Sequence, residues 1–131
     1  MDKRIVLIAC LALAACDAPP PRAPVGGQVE RAKVDAATAV YAACVDAAVK
    51  RLATPLVQAA DASDAAFKEC FPVRAKLVAE VSRFRRIGTP KESADWNAAV
   101  AEQSVSAIET DLRSEAVVTA VSTKLDQEKA P

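Results

Sequence analysis

Between Pro24 and the final residue, proline occurs only at positions 55, 72 and 90, and these positions set how far any helix in the chain can run. A proline inside a helix removes a backbone donor and drives its ring into the carbonyl four residues back, at a cost of about 3 kcal/mol. The intervening segments are alanine-dominated, with charges interspersed and only 4% aromatic residues. That composition favours helices and gives thin, small-residue cores.

In the first segment, Val29 to Ala53, residues Ala37, Val40, Tyr41, Cys44, Ala48 and Leu52 recur at three- and four-residue spacing. They predict one buried helical face, with Asp35, Asp46, Lys50 and Arg51 largely elsewhere. Thr54-Pro55 ends this pattern. A second helix is expected from Asp61 to Arg86, burying Ala66, Phe67, Cys70, Leu77, Val81 and Phe84. Pro72 lies within it, so a kink or a short break is expected there.

Gly88 is placed to stop that helix in a left-handed conformation, and Thr89-Pro90-Lys91-Glu92 has the form of a capping box with proline at the first helical position. A third helix then continues to Gln127, about 55 Å long. Its expected buried residues are Trp96, Val100, Ile108, Leu112, Val118, Val121 and Leu125. So long a helix should overhang its neighbours or bend near Ser114, where the β-branched run from Val117 follows.

The N-terminal segment follows a different logic. Asp2-Lys3-Arg4 precedes an apolar run from Ile5 to Ala15, which has secretory-leader length and is shorter than the roughly 20 residues of a spanning helix. Leu13-Ala14-Ala15-Cys16 closes the run and resembles the lipobox of bacterial membrane lipoproteins. The resemblance covers only about the first sixteen residues. It implies cleavage before Cys16, diacylglycerol on the Cys16 thiol and acylation, by palmitate or a similar chain, of the new amino terminus. More than one acyl chain implies stable anchoring. The resulting location is the cell envelope, facing the periplasm. Asp17 resembles an inner-membrane retention signal and favours that membrane over the outer one.

Three parts follow: a leader over 1–15, a lipidated cysteine with a proline-rich tether over 16–27, and a helical domain over 28–131. The tether, Asp17 to Gly27, is expected to be a polyproline II spacer with a glycine swivel at Gly26-Gly27, lifting the domain by roughly 30 Å. On this reading Cys10 leaves with the leader and Cys16 takes lipid. Cys44 and Cys70 then remain to form a disulfide in an oxidising compartment. In an antiparallel hairpin facing residues sum to a constant, so this pairing places the turn near residue 57. Closing a loop of about 27 residues would stabilise the fold by roughly 3–4 kcal/mol, a large share of the 5–10 kcal/mol or so expected for a domain of this size.

Enzyme chemistry finds little support. The chain has no histidine, which removes the usual general base and the commonest metal ligand. It has no glycine-rich phosphate loop, and no cofactor or metal is expected. Glu109, Asp111 and Glu115 are expected to form a solvated helix face. The chain has 17 basic and 17 acidic residues, and losing Lys3, Arg4 and Asp2 keeps it near neutrality, against a nucleic-acid partner. Arg83, Arg85 and Arg86 complement a helix C-terminus, or contact anionic headgroups or an acidic partner. Trp96 is expected as a core plug, or otherwise as a partner contact.

The expected fold is all-α: a small antiparallel three-helix bundle, a helical hairpin clipped by one disulfide plus a long C-terminal helix. The expected function is non-catalytic: a lipid-anchored module that binds or scaffolds another envelope protein through an alanine-rich groove containing Ala99 and Ala107. The alternative is a small inhibitor, immunity or exclusion lipoprotein that blocks an envelope enzyme, a phage or a conjugation apparatus.

Overall fold

The computed structural model describes residues 26–130; Cys16 and the rest of the expected leader and tether through residue 25 lie outside them. Among the described residues the fold is all-helical, with four helices: α1 (Gly26–Leu52), α2 (Ala59–Glu69), α3 (Phe71–Gly88) and α4 (Ala94–Lys129). Gly26 and Gly27, assigned above to a swivel, form the first turn of α1. A helix's first amides have no intrahelical partner in any case, so glycine there costs little pairing.

The expected second helix is two helices. Pro72 cannot donate to the carbonyl of Lys68, and the ladder stops at Cys70, whose φ and ψ are −83° and 6°. Cys70 closes α2 by donating its amide to Ala66, and its carbonyl opens α3 by accepting from the amides of Val73 and Arg74, all at 3.0 Å. Pro72 then occupies the first turn of α3, where a missing N–H matters least.

Side-chain pairings give the helix directions. Tyr41 meets Glu109 and Ala53 meets Gln127, so α1 and α4 run the same way. Arg74 meets Glu102 and Thr89 meets Asn97, so α3 runs against α4. The α1–α2 connection falls at residues 53–58, as the antiparallel argument requires. The disulfide joins Cys44 to Cys70, with Cα atoms 6.0 Å apart.

The α1 face is rotated from the expected one. Tyr41, Val45, Ala48 and Val49 are buried, whereas Val40 is 60% exposed. The α2–α3 stripe is buried as expected from Ala66 to Val81, and Phe84 is half-buried. On α4 the expectation holds in part: Val100, Ile108 and Leu112 are half-buried, with Leu112 packed on the core, but the other expected residues lie on the outer side. Its buried residues are Asn97, Ala101, Val105, Ala116 and Ala120, while Trp96, Val118, Val121 and Leu125 are exposed. Small residues fill much of the buried seam of α4, and the aliphatics of its C-terminal half, Val118, Val121 and Leu125, remain outside.

The capping expectation also fails. α4 begins after Ser93, whose hydroxyl accepts from the amide of Trp96 at 3.1 Å. Pro90 lies in the preceding turn, closed by Glu92 N–H to Thr89 C=O at 3.1 Å. Gly88 stays helical, without a positive φ, because Thr89 ends α3 by donating its amide to Arg85 at 2.7 Å. Helix α4 is uninterrupted through Ser114 over its 36 residues. Its last turns are held by Lys124 donating to the Val57 carbonyl at 2.9 Å and Gln127 to the Ala53 carbonyl at 3.1 Å.

Candidate functional site

A polar network crosses the middle of the helices. The Tyr41 ring is buried against α2, edge-on to Phe67 with centroids 6.3 Å apart. Its hydroxyl donates to Glu109 at 2.5 Å. The same Glu109 oxygen accepts from Arg74 Nε at 2.9 Å, and Arg74 also donates to Glu102 at 2.6 Å. Glu109 is therefore not on a solvated face, although Asp111 and Glu115 are exposed.

Burial, then the hydrogen bond to the Glu109 carboxylate, push the Tyr41 phenol well above its ordinary value. Burial opposes the Arg74 charge, but its bonds to Glu109 and Glu102 outweigh this and raise its value. The network thus keeps Tyr41 a protonated donor and Arg74 a cation, and both groups are engaged in holding α1, α3 and α4 together. Beside it is an open recess of about 370 Å³ lined by Phe67, Phe71, Arg74, Glu109 and Arg113, among others. Arg113 covers Phe67, its guanidinium carbon 4.4 Å from the ring centroid, and donates to Asp64 at 2.6 Å.

A second polar cluster joins α3 to α4. Asn97 is fully buried; its Nδ2 donates to the Ser93 carbonyl at 3.1 Å. The Thr89 hydroxyl bridges Asn97 Oδ1, at 2.8 Å, and the Arg85 carbonyl, at 2.9 Å.

The residues singled out in the sequence are distributed around this frame. Cys44 and Cys70 are brought together; Cys16 lies outside the described residues. Arg83 is paired with Glu80 at 2.8 Å. Arg85 is half-buried, with a buried Nε that has no hydrogen-bond partner among the described residues, and Arg86 is exposed. Trp96 is 54% exposed and is not a core plug. Sequence reasoning missed Arg74, Glu109 and Asn97 as organising residues, since nothing local marks a charge that is paired 35 residues away.

Helix α4 carries a second, outward stripe. Trp96, Ala99, Gln103, Ala107, Thr110, Ser114, Val118, Val121 and Leu125 follow at three- and four-residue spacing, all exposed and none charged. Among the described residues no group of His, Cys, Asp and Glu could hold a metal ion, and no helix is long and apolar enough to cross a membrane. Comparison with protein-family models, with curated proteins and with solved structures found no match.

Proposed function

We propose that this chain is an envelope lipoprotein, held in a bacterial membrane through acylated Cys16, whose helical domain binds another envelope protein without catalysing a reaction. In this reading α2 and α3 act as one broken rod of a three-rod bundle. The observation that carries it is the uncharged outward stripe of α4. A solvated helix normally carries charge on its outer face, and this one interleaves Ala99 and Ala107 with exposed aliphatics such as Val118. Small side chains admit close approach of a partner helix, and the aliphatics supply apolar area to bury.

Photo-crosslinking residues placed at Ala107 or Val118 in native membranes test this, with exposed Lys76 on α3 as the control position. A discrete protein adduct is expected from 107 and 118 and not from 76, and Ala99→Trp should diminish it. The same adduct pattern from all three positions would overturn the reading.

A further inference from the structure

We propose that the end of the domain formed by the start of α1, the end of α3 and the start of α4 docks on an anionic phospholipid surface. This rests on the lipoprotein reading for the presence of a nearby bilayer, and adds which end of the domain faces it.

The first turns of α1 and the last turns of α3 lie together: Gly27, Arg31 and Phe84 line one recess. The Thr89–Asn97 contact brings the start of α4 to the same end. The described chain therefore begins at this end, the end that also carries Ile87, Lys91 and Trp96. Residues 17–25 reach at most about 30 Å at polyproline II spacing, which leaves surface contact within range.

The chemistry of this end suits a phospholipid interface. Ile87 and Trp96 are 49% and 54% exposed, and a half-exposed indole suits the membrane–water interface, where tryptophans concentrate. Arg85, Arg86 and Lys91 have no carboxylate partner among the described residues. Glu92 and Asp95 oppose them and leave a small cationic excess. The N-termini of both α1 and α4, against one C-terminus, add partial positive charge facing the same way. At the opposite end, Lys50 is paired with Asp46 and Arg51 with Glu69, while Lys124, which donates to the Val57 carbonyl, and Lys129 are offset by Asp126 and Glu128.

Trp96 is the chain's single tryptophan, so its fluorescence reports docking directly. The full-length product, purified from membranes and reconstituted, would be compared in vesicles of phosphatidylcholine alone and with an equal part of phosphatidylglycerol, using brominated acyl chains as quencher. Docking predicts a blue shift and stronger quenching in the anionic vesicles. Arg86→Ala and Lys91→Ala should each shift the docked-to-undocked ratio about fivefold toward undocked, whereas Lys129→Ala should not. Intact mass of the same preparation reports whether Cys16 is acylated. Anionic-selective quenching with an unmodified Cys16 would sink the lipoprotein reading and leave the surface standing. An acylated protein whose Trp96 emission is the same in both vesicle types, or is unmoved by both Ala variants, would overturn the surface and spare the anchor.

Discussion

The Tyr41 hydroxyl donates to the Glu109 carboxylate at 2.5 Å, across 68 residues of sequence, and so ties α1 to α4 through the core. Tyr41→Phe keeps the ring against Phe67 but leaves Glu109 short of a donor. A loss of about 1.5–3 kcal/mol is expected, because the acceptor is charged; chemical denaturation measures it.

The same bond gives stability an alkaline limit. The folded state holds the Tyr41 proton more tightly than the unfolded chain does. Its contribution is therefore complete below about pH 10 and is lost as pH rises above that toward the folded-state value, by up to about 1.4 kcal/mol per pH unit. Tyr41 is the only tyrosine, so phenolate absorbance should rise together with loss of helix in alkali. Tyr41→Phe should flatten this part of the stability profile.

Arg74 serves two carboxylates with a side chain only 12% exposed. Arg74→Met should cost about 3 kcal/mol by leaving Glu109 half-buried and uncompensated. The double variant Arg74→Met with Glu109→Gln should lose less than the sum of the single changes. Simple additivity in denaturant titrations would mean that the pair is not coupled.

Removing the crosslink by Cys44→Ala and Cys70→Ala should cost about 3 kcal/mol, a fall in melting temperature on the order of 15 °C. A thermal scan with and without reductant on the unmodified protein should reproduce the difference.

The two faces of α4 should respond in an order opposite to residue size. Ala101→Leu or Ala120→Leu overfills a fully buried position and should destabilise by about 1–3 kcal/mol. Val118→Ala, on the outer stripe, should stay within about 0.5 kcal/mol. Differential scanning calorimetry of the three variants would expose a wrong assignment of faces.

Helix content and the break at Thr54-Pro55 were legible because proline chemistry and three- and four-residue spacing are local signals, whereas the turn near residue 57 was placed from the Cys44–Cys70 pairing. The pairing of Cys44 with Cys70 was reached through the lipoprotein resemblance. The face of α4 was not legible because apolar residues occupy both of its sides, and ranking by size selects Trp96, Val118 and Leu125 over Ala101, Ala116 and Ala120. Burial of apolar residues is a one-way rule, and exposed ones are common. The start of α4 was misplaced because Thr89 and Ser93 can both cap. The decision belongs to buried Asn97, which holds the Ser93 carbonyl and contacts Thr89. Of the polar network, sequence marked Glu109 only as a surface carboxylate, since the partners that desolvate it arrive from α1 and α3.

Cys70 is the one residue between α2 and α3, and its sulfur is bonded to α1. A break between two helices ordinarily provides an elbow about which each segment can swing. Here the elbow is splinted to its neighbour at the joint itself, so oxidation decides whether this column behaves as a stiff strut or as an articulated arm. In a compartment that reduced its thiols the same sequence would keep its helices and lose that stiffness.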